Sequence, residues 1–422
     1  MALATGTTTG ITLTSTGTAV SAPIPFDAVG YFPRYIKVTS SAPAYVCVSN
    51  DRRAAVAGDV LVQPYDLLVL RASGHKSVSA LSLSGTAVVS VIPDDSGFWT
   101  ADQSTMELNF AAMNTLDPRV TFTRASIATR INNSGFIETV GNNVARFDYD
   151  PVTKLPKGLL IEESRTNLLL NSDSLSTQGV TVTATPYTLS FYGSGTVTLS
   201  GAYSGTLVGS GAYPTRSTLT FTPSAGTLTC TVTGTVQYAQ VEAGAFATSY
   251  IPTTGATVNR LADSAVMTGT NFSSWYNQNV GAFLAEFSLP FNSTGGAGIN
   301  AILSADDNTS AERLQLRRMD VSGLITGVIV DNSVAVFNQG ATGAPVVGAN
   351  TVTKAAIAYA LNDCNAAQGG LIGATDTAAT MPTPTQLQIG NGTALGYLCG
   401  HIKRIAYYAV RMSNADLQRL TT

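Results

Sequence analysis

Charge is what this sequence has least of. Lys, Arg, Asp and Glu together make 12% of 422 residues, and the formal net charge is −3. Such a balance gives no basic footprint for nucleic acid and no polybasic patch for an anionic membrane. Histidine is scarcer still. His75 and His401 are too few for a three-histidine metal site, and no GxSxG motif accompanies them. Cys47, Cys230, Cys364 and Cys399 stand singly, with no CxxC pair, which argues against zinc and against a disulfide framework. They are expected to be buried free thiols serving as small hydrophobes. No apolar run reaches transmembrane length, and MALATGTTTGITLTSTG lacks the basic segment and apolar core of a secretory signal. The expectation is a soluble protein made in a cytoplasm, with no cofactor and no membrane insertion.

What is abundant points one way. Hydrophobic residues reach 44%, there are 39 glycines, and Thr, Ser, Ala and Val are plentiful. That excludes disorder and favours pleated, half-buried surfaces. The length allows two to four domains. RYIKVTS, AYVCVSN, VLVQ, LLVLRAS, VSALSLS and AVVSVIP alternate apolar and polar residues between turn signals, as in a compact sandwich or barrel. Residues 1–95 therefore read as one β-domain, opening with an extended arm or an edge strand. Residues 96–118 break the rhythm and read as a neck or linker, with MELNFAAMN as a short helix or an extended connector. Residues 171–260 carry only Asp173, Arg216, Glu242 and Arg260 as charges and alternate at period two. Residues 261–422 run from AFLAEFSLP to GHIKRIAYYAVRMS as strands. They close on SNADLQRLTT, a short helix capped by Ser413 or Asn414.

Between these units lies the most charge-dense segment, 119–170. Its apolar residues fall at strand spacing (Val120/Phe122, Phe136/Ile137, Val144/Phe147, Leu159/Ile161) but are too few for a core of their own. Glu162 and Glu163 are adjacent in a strand-like run and so point to opposite faces, where arginines are better partners than a substrate. Arg146, Asp148, Glu163 and Arg165 are expected to make structural ion pairs within or between protomers.

The run FTRASIATR…RFDYDP…GLLIEESRTNLLL resembles the fibre region of phage head spikes and of related phage tail and minor virion proteins. QYAQVEAGAFATSYIPTTGATVNRLAD is similar to the end of a short jelly-roll of the carbohydrate-binding-module type. The order AIAY, QLQIG, GHIKRIAYY, ADLQRL resembles a concanavalin A-like, or laminin-G-like, sandwich. These resemblances imply an all-β chain of several β-sandwich or jelly-roll domains in series, the last one concanavalin A-like. They imply a virion-surface head spike or fibre. Residues 1–95 would attach it to capsid or other virion proteins. Residues 119–170 would join a homo-oligomer, a trimer by analogy, and 171–260 and 261–422 would meet host cell-surface glycan. A tail fibre or baseplate receptor-binding protein would use the same modules. A glycan-degrading spike with an inter-subunit site and a purely capsid-stabilising decoration protein are the other readings, because fold alone does not fix function.

Sugar binding needs aromatic faces for the ring and nearby polar groups for the hydroxyls. Trp275, Tyr276, Asn277 and Asn279 form the densest such cluster, with Trp275 as a packed lid as the alternative. Tyr192, Tyr203 and Tyr213 are further candidates, while Trp99 in the neck reads as packing. Asp306 and Asp307 read as a turn, or as a weak calcium or sugar contact. The Glu-x-Asp-x-x-Glu strand of glycosidases on the concanavalin A-like fold is absent, so no catalytic residue is expected.

Overall fold

The computed structural model describes residues 10–25, 33, 35–50, 53–64, 68–72, 75–93, 104–291, 298–319, 322–393 and 395–422. Trp99 and residues 96–103 of the expected neck lie outside them. The chain divides into two compact units, residues 1–100 and 101–422, and is all-β. Among the described residues no helix is long and apolar enough to cross a membrane.

In the first unit two four-stranded antiparallel sheets enclose one core. One runs in the order Ile11–Ser15, Ala87–Pro93, Tyr35–Ser40, Leu68–Arg71; the other Val20–Pro23, Ser77–Ser82, Ala44–Ser49, Val60–Val62. The alternation legible in the sequence sends Leu13, Ile36, Val38, Val46, Val78 and Val89 inward. Of the Thr-rich start, Ile11–Ser15 is an edge strand, and Ser15 Oγ accepts a bond from the Ser82 amide at 2.8 Å.

The second unit is built on two larger sheets. The seven-stranded sheet runs Thr121–Thr123, Ser264–Thr268, Gln386–Ile389, Asn300–Asp306, Arg313–Arg318, Ile325–Asp331, Val334–Gly340. The eight-stranded sheet runs Arg146–Tyr149, Pro156–Ile161, Gly400–Tyr408, Val280–Ser288, Thr353–Ala360, Asn365–Gln368, Leu371–Ile372, with Met106–Asn109 also paired to Gly400–Tyr408. The closing helix is Asn414–Thr421; Ser413 is its cap and accepts from the Asp416 amide at 3.2 Å.

This topology corrects the serial partition. MELNFAAMN is not a helix: its first part, Met106–Asn109, is extended and continues the edge of Gly400–Tyr408 that Pro156–Ile161 begins. Nor is 119–170 a separate fibre segment, since it supplies strands to both large sheets. Met106, Leu108, Phe110, Phe122, Phe147, Leu159 and Ile161 share one core with Phe283, Ile302, Leu314, Ile329 and Tyr407. Each buried side chain of that size gains about 1.5–3 kcal/mol. A segment too apolar to stay in water and too short to bury itself therefore docks on the sandwich.

Residues 165–260 are an excursion from this sandwich. They leave and return through a two-stranded ribbon, Arg165–Asn167 against Val258–Arg260. Within the excursion, a four-stranded sheet (Gln178–Val182, Gly226–Thr233, Thr196–Gly201, Gly205–Val208) faces a three-stranded one (Gly211–Phe221, Tyr187–Gly193, Gln237–Ala243). Leu189, Phe191, Val197, Leu228 and Val241 fill the space between.

A candidate glycan-binding groove

The charges of the central segment converge on the base of the excursion. Arg146 and Glu162 meet at 2.7 Å, and Arg146 also pairs with Asp263, which Arg124 holds at 3.0 Å. Arg260 completes the cluster on Glu162. Ser249 donates to Glu162 through its amide at 2.7 Å and through Oγ at 2.6 Å. Burial alone would raise the Glu162 carboxyl and lower the Arg146 guanidinium. Their partners prevail in both cases: Arg260 and Arg146 hold Glu162 well below the usual carboxylate range, and Asp263 and Glu162 hold Arg146 up. Arg165 pairs with Glu163 at 2.6 Å, and Asp148 with His401 at 2.7 Å.

The Asp148–His401 pair borders a small cavity of about 140 Å³, with Thr129, Tyr192, Arg216 and Ser249 on its walls. A histidine, an aspartate and a serine in one cavity invite a hydrolase reading, and the bonding speaks against it. Ser249 Oγ is engaged by Glu162, Arg146 and Arg260. Burial, the largest influence on His401, lowers its imidazole pKa, and Asp148 Oδ1 also accepts from the Ile131 amide at 2.6 Å. The pair ties the hairpin Ala128–Ile131/Ile137–Val140 to the strand Gly400–Tyr408. Glu162, locked as a carboxylate between arginines, has no proton to give a glycosidic oxygen.

Beside this cavity opens a groove of about 430 Å³, lined chiefly by Phe136, Thr139, Asp173, Tyr213, Gln237 and Tyr238. One wall is the hairpin turn. Asn132 Oδ1 accepts from the amides of Ser134 and Phe136, both at 3.0 Å, and so folds the turn. Gly135 takes φ +84 there, and a Cβ on it would stand 2.6 Å from the Pro151 carbonyl oxygen. The result presents Phe136 with 63% of its surface exposed, its ring 5.6 Å from Lys154 Nζ. The other wall belongs to the excursion. Tyr213 donates through its hydroxyl to the Gly135 carbonyl at 2.6 Å, joining the two walls. Tyr238 has φ +48, a left-handed conformation that an aromatic residue seldom adopts. The pairing of its strand slips between Ser190 and Tyr192. This bulge sets the Tyr238 ring 6.1 Å from Tyr192 and 5.3 Å from Tyr250, both near-perpendicular. Tyr250 donates to Asp173 Oδ1 at 2.6 Å, which fixes the carboxylate at the rim. Burial, then repulsion by neighbouring Tyr192, raises the Tyr213 phenol, which stays protonated. Aromatic faces, a carboxylate and an amide around an open groove can stack a sugar ring and bind its hydroxyls.

The strongest candidate of the sequence is not here. Trp275 is 6% exposed and part of the sandwich core, 5.0 Å from Tyr407 and 5.1 Å from Phe272, with Nε1 donating to the Asn271 carbonyl at 2.7 Å. Tyr276 stacks on Phe272 at 4.6 Å. The Asn277 carbonyl accepts from Tyr359 at 2.7 Å, and the Asn279 amide donates to Asn277 Oδ1 at 3.0 Å. The polar residues of that stretch cap a buried ring cluster, so no face remains for a sugar. Tyr203 packs 4.7 Å from Phe221 against the excursion's core, away from the groove. Tyr192 is buried and stands behind Tyr213, 5.2 Å away, as a support rather than a platform. Asp306 is fully buried and accepts from Ser304, Gln386 and Gln388; Asp307 accepts from the Thr309 amide at 2.9 Å. Those turn and sheet bonds use the carboxylates that a calcium ion would need, and among the described residues no acid or histidine cluster is arranged for a metal. Tyr213 alone among the sequence candidates reaches the groove. Phe136, Asp173, Gln237 and Tyr238 were missed, because what unites them is a bulge and a contact between distant segments.

The fold and groove define a multidomain β-sandwich protein with a polar–aromatic cleft. No protein-family model matches the chain, and no curated protein matches it. Solved structures overlap in part. The IT-sialidase CBM40 of Ruminococcus gnavus, bound to alpha2,3 sialyllactose, is 12% identical; the match covers 36% of this chain and 86% of that one, with TM-score 0.29. The NanB sialidase of Streptococcus pneumoniae is 14% identical over 36% of this chain and 26% of its own, with TM-score 0.29. The botulinum neurotoxin serotype D binding domain is 11% identical over 37% and 40%, with TM-score 0.27. Overlap this partial says nothing of what the present chain binds.

Proposed function

We propose that the protein is a non-enzymatic, glycan-binding spike or fibre on the surface of a phage virion. The observation that carries the binding reading is the groove in which Phe136, Tyr213 and Tyr238 surround Asp173 and Gln237. The virion reading is supported by the resemblance of residues 119–170 to head-spike and fibre proteins. Unit 1–100 serves as the attachment to capsid or other virion proteins, and homo-oligomers, trimers by analogy, present several grooves at once. Linked sites turn a weak single contact into avidity greater by about 10²–10⁴.

The test is titration of the protein with host capsule or lipopolysaccharide fragments, repeated with Tyr213→Ala and Tyr238→Ala. Loss of one aromatic stacking face is worth about 1 kcal/mol, roughly fivefold in affinity. Absence of binding by the unaltered protein, or equal binding by both variants, would refute the groove. Release of reducing ends would refute the non-enzymatic part. Electron microscopy of gold-labelled particles checks the virion assignment, which fails if no label decorates them.

A further inference from the structure

Residues 171–260 carry four charges, and three of them are engaged inside the protein. Glu242 is fully buried and accepts from the Thr248 amide at 2.8 Å. Arg216 donates to the Thr248 carbonyl at 2.6 Å and to Ser190 Oγ at 2.8 Å, and Arg260 belongs to the Glu162 cluster. Asp173 is the fourth. It is exposed and stands on the wall of the groove that Phe136, Tyr213 and Tyr238 line, the two tyrosines half-buried.

A relay of hydrogen bonds fixes that carboxylate. The Thr253 amide donates to Ser172 Oγ at 2.9 Å, Ser172 Oγ meets the Tyr250 hydroxyl at 2.6 Å, and Tyr250 donates to Asp173 Oδ1 at 2.6 Å. Oδ1 is thereby taken. Oδ2 accepts no hydrogen bond from the described residues, and none of their cations stands at ion-pair distance from it. Lys154 does not supply the countercharge: its Nζ donates to the Ser134 carbonyl and lies 5.6 Å from the Phe136 ring. Among the described residues that line the groove no other is formally charged. The surroundings are of the same sign: after burial and Tyr192, the carboxylates of Asp148 and Asp150 add to the raising of the Tyr213 phenol.

Water alone can satisfy an exposed carboxylate, but one held among ring faces has a narrower complement. The faces of Tyr and Phe rings attract a cation, and an ionised oxygen bonds most strongly to an N–H that is itself charged. A ligand carboxylate would meet Asp173 as a like charge, and a neutral amide would gain less from the oxygen and from the rings. We infer that the groove selects a saccharide with a free amino group, whose ammonium sits between Asp173 Oδ2 and the aromatic faces. This selection rests on the glycan-binding reading above and adds to it the sign of the ligand's charge.

The full chain and its Asp173→Asn and Tyr238→Ala variants are titrated with a glucosamine trisaccharide in slightly acidic buffer, where its amines are protonated. The same titrations are made with that trisaccharide fully N-acetylated and with a hexuronic acid trisaccharide. The amine form should bind about tenfold or more tighter than the acetylated form, the worth of one charge-assisted bond. Asp173→Asn keeps an oxygen for Tyr250 and should melt as the unaltered protein does. It should cut that ratio by about tenfold and leave the acetylated form bound as before. Tyr238→Ala should weaken both forms. Failure of the amine form to bind, equal affinity for the amine and acetylated forms, a preference that survives Asp173→Asn, or a hexuronic acid trisaccharide bound as tightly as the amine form would overturn the selection. In each of those cases the glycan reading stands if capsule or lipopolysaccharide fragments bind the unaltered protein and lose affinity with Tyr238→Ala, and falls with the selection if they do not. Choline competing as well as the amine trisaccharide would overturn the saccharide part.

Discussion

Replacing Glu162 by glutamine should cost the unit of residues 101–422 about 3–5 kcal/mol, although the side chains are nearly isosteric. Three guanidiniums, those of Arg124, Arg146 and Arg260, here face two carboxylates, Glu162 and Asp263. The substitution raises the excess positive charge from one to two in a fully buried site. At an effective dielectric of about 20, a single pair at 4 Å is worth about 4 kcal/mol, in line with that range. The amide would also turn a donor toward the guanidiniums of Arg146 and Arg260 or toward the Ser249 amide, which only donate. For a unit of this size the melting temperature should fall on the order of 10 °C, measurable by differential scanning calorimetry. Acid titration gives an independent check. The folded pKa of Glu162 lies below its unfolded value near 4.5, so its contribution is present above that pH and is lost as pH falls. The unaltered protein should therefore lose stability steeply below about pH 4.5, and the variant less steeply. A melting temperature within about 2 °C of the unaltered protein, with the same acid slope, would refute the claim that this cluster holds the segments together.

Trp275→Ala should lower stability by about 3–5 kcal/mol, and Trp275→Phe by less, with saccharide titration of the folded Phe variant unchanged. A selective loss of binding would return that ring to the ligand site. Burial pushes the thiols of Cys230 and Cys364 up to about 11, so at pH 8 a thiol reagent should label them slowly in the native protein and fast in denaturant; rapid native labelling counts against the packing described. Ser413→Ala should cost about 1 kcal/mol by removing the cap of the closing helix, as read from chemical denaturation.

The strands of 261–422 and of the first unit were legible because period-two alternation is local, and the closing helix because its cap and its first-turn acid are adjacent in sequence. The partners of the charged segment were not. Arg146 and Glu162 announce an ion pair, but Asp263 and Arg260 stand about a hundred residues later, and only the closed ribbon brings them in. MELNFAAMN was undecided between a short helix and an extended connector, since the four alternating residues of Met106–Asn109 cannot say which edge awaits them. Trp275 misled for a physical reason: the asparagines around it satisfy buried tyrosine hydroxyls and turn amides, and in sequence that is indistinguishable from a sugar site. Tyr213 was among the candidates, but the φ of Tyr238 that completes the groove leaves no mark in composition.

The ribbon of Arg165–Asn167 on Val258–Arg260 has a consequence for how such a chain can change. Entry and exit of the excursion are register partners, so the sandwich sees only a short gap to be bridged, whatever fills it. Closing a longer loop over the same gap costs about 0.6 kcal/mol per doubling of length. Residues between the ribbon strands can thus be exchanged as a cassette for a module of different size. Ser249 and the hairpin contact of Tyr213 are the fittings that a replacement would have to reproduce. The excursion's wall of the groove could then change by substitution of a whole module while the sandwich and residues 1–100 keep their sequences.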